Sequence, residues 1–428
     1  MITDVARVLT HVEVTGDSLR LALEKKVRGG VKRAVKAVAS SVVQNYRFID
    51  AVMAELLGED FYYSLKPYER NLLRVIVHEL RNGRTNLGTA LRLVARLGKL
   101  SRRVNRRVLA EAMTVSREAV LSSFSGLERV AVEYSYPTWV AEYLVRLLGF
   151  PEALTLLRVM NRQATVWLRV NTMAIDRQSL VKKLRRRGVV VEEDDDLGDA
   201  VKVLKTPVSP IFLPEYRKGF FYIQDKASML ASHVLDPRPG ETVLDACAAP
   251  GSKTTHMFQL VSGRGWLIAV DLALTRLKAV PSSAARLGFE GIDLLVGDST
   301  TALFRPRFDR VLVDPNCSSL GRMGKNPEVR LWATPQRVSE LACLQYRLLA
   351  TAVRLVKRGG VIVYSTCTMT LEENEEVVKR VLDMGGVELV EASPHVGVRG
   401  LQGLEEAQRL YPHMHDTLGF FIAKLVKI

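Results

Sequence analysis

Two short stretches of this chain place a thiol at the end of an apolar run. Val313-Asp314-Pro315-Asn316-Cys317-Ser318-Ser319 follows Arg310-Val311-Leu312 and sets a carboxylate and a thiol three residues apart. About fifty residues later Val361-Ile362-Val363-Tyr364-Ser365-Thr366-Cys367 ends in the same way. A cysteine in such a place is either packing or a nucleophile, because the thiolate is the reactive form. Only two other cysteines occur, Cys247 and Cys343, and no Cys-x-x-Cys pair supports a zinc knuckle or a redox dithiol. Cys343 falls within a helical pattern and reads as buried. His413 and His415 invite a metal, but no acid or cysteine stands at ligand spacing. No metal is expected, and the two read as structural.

A second constellation lies upstream. Val243-Leu244-Asp245 runs into Ala246-Cys247-Ala248-Ala249-Pro250-Gly251-Ser252-Lys253-Thr254-Thr255, a strand followed by a loop of small residues and a helix. Small side chains let a ligand approach the backbone N–H groups at a helix N-terminus. The loop is neither a P-loop nor a Gly-x-Gly-x-x-Gly fingerprint, which speaks against a triphosphatase and a dehydrogenase. The next strand ends in Asp271, placed to accept ribose hydroxyls, and the third ends in Asp298, placed to accept from an exocyclic amine. With Asp245 and Asp314, four successive strand ends carry an acid. Ligands of open α/β sheets bind along that carboxyl edge. An adenosine-bearing cofactor without a triphosphate fits, and S-adenosyl-L-methionine is the obvious member.

These residues need a scaffold. From Gly240 the pattern is a doubly wound α/β fold with short buried strands expected at Thr242–Asp245, Trp266–Val270, Ile292–Val296, Arg310–Val313, Gly360–Tyr364 and Gly419–Leu425. At 428 residues the chain is long enough for two or three domains. Residues 1–130 read as all-helical, with one uninterrupted helical pattern from Val31 to Leu57. Residues 131–215 read as a small α+β module with strands at Val166–Val170 and Val189–Val191 and a basic helix, Arg177 to Arg187, between them. The acidic run Glu192 to Asp196 reads as a solvated turn, and the four tryptophans read as core. The catalytic domain is expected over 216–428.

Net charge is +15, and residues 1–130 hold 23 Lys/Arg against 13 Asp/Glu, including the acid-free run Lys99 to Arg107. A one-sided basic segment favours a polyanionic partner, RNA or DNA. No run approaches the roughly 18 apolar residues of a membrane span. The start lacks the order of a secretory signal, so the expected place is the cytoplasm, with no membrane partner.

Taken together, Asp245 to His256, Val313 to Ser319 and Tyr364-Ser365-Thr366-Cys367-Thr368 resemble the Sun/nucleolar-protein family of RNA 5-methylcytosine methyltransferases. Asn326-Pro327-Glu328, Glu372-Glu373-Asn374-Glu375 and Arg409-Leu410-Tyr411-Pro412-His413 add to the match, which spans about 131–428. The helical front resembles the NusB-type domain of bacterial ribosomal-RNA members. The family usually has Pro where Asn316 stands and a second Gly where Ser252 stands.

The resemblance implies a Rossmann-like S-adenosylmethionine-dependent methyltransferase domain, an RRM-like RNA-binding module and a NusB-like RNA-binding front domain. It makes Cys367 the nucleophile that adds to C6 of cytosine, and Cys317 the group that assists product release. Asp314 is expected on the N3/N4 edge of the base, organised by Lys253. Cofactor contacts carry over to Cys247, Ala248, Ala249, Pro250, Gly251, Ser252, Lys253, Asp271, Arg276, Asp298 and Asp314. Ribosomal RNA is the expected substrate of a monomeric enzyme. Transfer RNA, a catalytically silent RNA-binding assembly factor and a DNA methyltransferase stand as alternatives.

Overall fold

The structure is a computed structural model and describes residues 1–162, 164–301 and 308–428. It comprises two compact units, Met1–Gln163 with Met323–Thr334, and Ala164–Arg322 with Pro335–Ile428.

The first unit is helical among its described residues. Its helices run from Ile2–Thr15 to Phe150–Met160 and bury an aliphatic core that includes Val5, Leu9, Ile49, Leu73 and Ile76. A polar knot crosses that core: Arg74 holds Asp50 with two hydrogen bonds, and Tyr62 donates to the same carboxylate. Burying a charge is tolerable only with such pairing. The pattern expected from Val31 to Leu57 is two helices, Lys32–Val43 and Tyr46–Leu57. They break at Asn45, whose side chain donates to the carbonyl of Ser41, the competition that makes Asn a poor helix-interior residue.

The boundary expected at 130/131 falls inside the helix Gly126–Tyr134. The helices Thr138–Leu148 and Phe150–Met160 pack with that helix and cluster with the first unit. Their apolar faces, Val140, Ala141, Leu144, Leu156 and Leu157, are buried there. The chain also leaves the catalytic unit after Arg322 and contributes 323–334 to the helical unit before returning. Glu328 accepts from the Leu19 N–H, and buried Arg330 donates to Tyr136 and Asn161.

The second unit carries two sheets. The smaller contains β1 (Val166–Val170), β2 (Val190–Glu193), β3 (Ala200–Lys205) and β4 (Phe221–Ile223) in the order β2-β3-β1-β4, all antiparallel. It therefore extends beyond residue 215. The larger holds β5 (Thr242–Asp245), β6 (Trp266–Asp271), β7 (Ile292–Val296), β8 (Phe308–Val313), β9 (Val356–Thr366), β10 (Val387–Val390), β11 (Val398–Arg399), β12 (Gln408–Leu410) and β13 (Phe420–Lys427). Its order is β11-β12-β13-β9-β8-β5-β6-β7, with β10 also on β13. Strands β5 to β9 pair in parallel, and β13 runs antiparallel to β9. This is a Rossmann-like fold with an N-terminal helical region. The β7 edge strand is not buried as expected: Leu294, Leu295 and Val296 keep 37% to 48% exposure. Trp266 is also half exposed rather than core, with its indole N–H on Asp293.

Candidate active site

The parallel strands set the strand-end residues along one edge. Asp245 closes β5 fully buried, accepting from Thr254 Oγ1 at 2.7 Å. Burial, with the nearby charge of Asp314, pushes its carboxyl up to about 7. The loop then turns through Cys247, Ala248, Ala249 and Pro250 to Gly251, whose φ of +102° only glycine adopts readily. A Cβ there would also meet Val280 at 2.9 Å. The helix Ser252–Leu260 starts at once and aims Lys253 back toward the edge.

Lys253 Nζ meets Asp314 Oδ2 at 2.7 Å, and Ser365 Oγ donates to Asp314 Oδ1 at 2.9 Å. The acid at the end of β8 is thus held from the β5 loop on one side and from β9 on the other. The two thiols meet beside it, with Cys317 Sγ 3.2 Å from Cys367 Sγ. Ser319 Oγ lies 3.8 Å from each. The Cys317 hydrogen bond, Arg322 and Ser319 hold the Cys367 thiol below the usual range, at about 6, against the opposing effect of burial. The same contact, together with burial, pushes Cys317 up. One sulfur is therefore the thiolate and the other its donor.

A buried carboxylate anchors both loops. Glu373 accepts from the Ser318 N–H and hydroxyl, from Gln345 and from Thr370. Gly321 N–H donates to the carbonyl of Cys367, closing the Cys317 loop onto β9. Asn316 is drawn to the cofactor side: Arg276 donates to its Oδ1 at 3.1 Å and to the Ala249 carbonyl at 2.7 Å. Sequence reasoning did not single out Ser319, Ser365 or Glu373 for roles. The signal was present for all three, which lie inside the matched motifs, but their partners across the site are distant in sequence.

The remaining strand ends carry Asp271 and Asp298. Asp271 accepts one backbone N–H on each oxygen, from Ala249 and Ala273, and each oxygen keeps a second lone pair for a hydroxyl. Leu272 and Leu274, 73% and 52% exposed, offer apolar surface beside it. Asp298 is exposed beyond β7, and the Thr300 N–H lowers its pKa. Ser299 ties that loop to the Ala246 carbonyl.

Cys343 is exposed rather than buried, because it sits on the solvent side of the helix Pro335–Leu355. His415 accepts from the Tyr411 N–H through its ring nitrogen. Among the described residues one group with metal-ligand spacing, Asp199, His233 and His256, was not foreseen. Both imidazoles and Gln259 already bond the Asp199 carboxylate, which accounts for its convergence without an ion.

The family model described as 16S rRNA methyltransferase RsmB/F matches residues 232–426, and the ferredoxin-like domain of the same proteins matches 136–209. A probable ribosomal RNA small subunit methyltransferase B of Bacillus subtilis is 34% identical over 73% of this chain and 72% of its own. The chain belongs to the RNA cytosine-C5 methyltransferase family. A tRNA (cytosine(72)-C(5))-methyltransferase of Pyrococcus horikoshii is 39% identical over 50% of this chain and 54% of its own. The crystal structure of PH0851 superposes with a TM-score of 0.81 at 28% identity, covering 100% and 99% of the two chains. This methyltransferase is S-adenosylmethionine-dependent, and the carboxylate of Asp271 beside the apolar surface of Leu272 and Leu274 fits the cofactor's adenosine. Among the described residues no helix is long and apolar enough to cross a membrane.

Proposed function

We propose that this methyltransferase forms 5-methylcytosine in ribosomal RNA through a covalent adduct between Cys367 and C6 of the target base. The observation that carries the reading is the contact of Cys367, held low, with Cys317 beside the Asp314–Lys253 pair. C5 of cytosine is a poor nucleophile. Addition of the Cys367 thiolate to C6 saturates that carbon and shifts the C5–C6 π electrons toward C5 and C4, leaving a C4–C5 enamine whose C5 is electron-rich. S-adenosylmethionine, when bound, supplies an electrophilic methyl group; Cys247 to Lys253, Asp271, Arg276, Asp298 and Asp314 would hold it. Asp314, oriented by Lys253 and Ser365, takes the N3/N4 edge and offsets the charge that builds there. Transfer of the C5 proton to solvent water then re-forms the C5–C6 double bond as the Cys367 sulfur departs with its bonding pair. Cys317 assists that departure by returning its S–H to the leaving sulfur.

The target base must leave any stack to reach both sulfurs, which favours an unpaired or extruded cytidine. The helical unit is taken as a NusB-like surface for the same RNA. The small-subunit ribosomal RNA enzymes among the relatives support ribosomal over transfer RNA. The test incubates the full chain and labelled cofactor with unmodified small-subunit ribosomal RNA and with transfer RNA. Label at C5 of cytosine in the ribosomal RNA is expected. Label only in transfer RNA corrects the substrate, and RNA binding without label in either makes the chain a silent assembly factor.

A further inference from the structure

An RRM-like module offers its sheet face to stack bases. In this chain that face is consumed. Trp167 and Arg169 on β1, Ala200 and Lys202 on β3, and Tyr222 on β4 share one side of the small sheet by register. Trp167, Ala200 and Tyr222 join an apolar cluster with Ala227, Leu230 and Phe258 of the catalytic fold. Arg169 is fully buried and donates to Gln224, the Ser252 carbonyl and Thr255. The sheet positions the catalytic loop instead of meeting RNA.

The opposite side carries a different surface. There the helix Arg177–Arg186 packs through Leu180, Val181 and Leu184 and leaves its outer face in solvent. Residues 177–191 contain no acid. Among the described residues Lys182, Lys183, Arg185 and Arg186 are exposed and form no ion pair, whereas Arg177 and Arg187 pair with Glu193 and Glu215. The helix contacts the short helix Pro214–Arg217, which contacts the turn Pro210–Phe212. That neighbour adds exposed Arg217 and Lys218, and the turn adds Ile211 and Phe212 at 44% and 53% exposure. Unpaired cations beside an exposed aromatic ring match a single-stranded backbone with a base to stack.

We infer that the outer face of helix Arg177–Arg186, continued by Arg217, Lys218 and Phe212, binds the phosphate backbone of single-stranded substrate RNA outside the active site. The inference rests on the RNA methyltransferase reading for the identity of its ligand. Exposed cations outside ion pairs gain most by displacing phosphate counterions, and Phe212 supplies the sequence-tolerant contact.

The test measures binding of the full chain to unmodified small-subunit ribosomal RNA and to a 30-nucleotide poly(U) at several salt concentrations. A variant with Lys182→Ala, Lys183→Ala, Arg185→Ala and Arg186→Ala removes four contacts from a surface helix that alanine suits. Its plot of log affinity against log salt is expected to be shallower by about 3, at about 0.7 per single-strand contact. Phe212→Ala is expected to weaken both RNAs by about fivefold or more with the slope unchanged. The pairs Lys182→Gln/Lys183→Gln and Arg185→Gln/Arg186→Gln each give half the slope change and serve if the fourfold variant does not fold. Wild-type affinity and slope in these variants overturn the inference. Methyl incorporation by the unaltered protein is scored separately: its absence overturns the proposed function, whereas its presence with unaltered variant binding overturns only this surface.

Discussion

Cys317 and Cys367 end neighbouring parallel strands and touch, yet they sit in opposite electrostatic situations. Cys367 is half-buried, accepts from Cys317 and Ser319, and is lowered further by Arg322. Cys317 is buried and faces the charges of Cys367 and Glu373, so its proton is retained. The difference teaches that two identical side chains take opposite protonation states by placement alone, as paired carboxylates do in other active sites.

Removing the low-pKa partner breaks the comparison most severely. Cys367→Ala is expected to reduce methyl transfer on the order of a thousandfold or more, since no other described thiolate occupies the site. Labelled-cofactor turnover reads this directly, and full turnover removes Cys367 from the mechanism. Cys317→Ala should leave addition possible and slow release. The expected result is a covalent RNA–protein band stable in denaturing gels, with turnover reduced on the order of a hundredfold. An acid role for Cys317 fails if no band accumulates while turnover is lost.

The shared anchor tests whether the environment, rather than the sulfur, makes the distinction. Glu373→Gln places an amide N–H₂ among donors from Ser318, Gln345 and Thr370. A loss of about 1–3 kcal/mol in stability is expected by thermal denaturation. Acid exposes the same asymmetry: Cys367 is ionised above its folded value of about 6, so alkylation of its thiol should fall as pH drops through 6. Cys317, with its pKa raised, should stay unreactive throughout that window. Asn316→Ala is the mildest. It removes the acceptor for Arg276 and should cost about 1 kcal/mol, a few-fold in the cofactor KM, with kcat nearly unchanged.

The contrast between the two faces of the small sheet carries the lesson about legibility. Its strands at Val166–Val170 and near Val190 were readable as β-rich apolar runs. Which face would be covered was not readable, because Arg169 looks like a solvent residue until Ser252 and Thr255 are brought to it. The excursion 323–334 is similar: Asn326-Pro327-Glu328 stood out as a motif, but its partner Leu19 lies more than 300 positions away. The helix break at Asn45 was missed because apolar periodicity continues across it while the side chain bonds locally. Asn316, where the family usually has Pro, is clasped by Arg276, forty residues away in sequence.

By itself the sequence determined the strand-end acids, the small-residue loop, the two thiols and the parallel fold that sets them along one edge, since all are local patterns of residue type and period. Only the tertiary structure decided that Cys317 and Cys367 share one hydrogen bond, which sulfur gives up its proton, and which side of the small sheet faces solvent. The reason is physical: a pKa and a burial depend on what is brought within a few ångströms, and those partners come from distant parts of the chain.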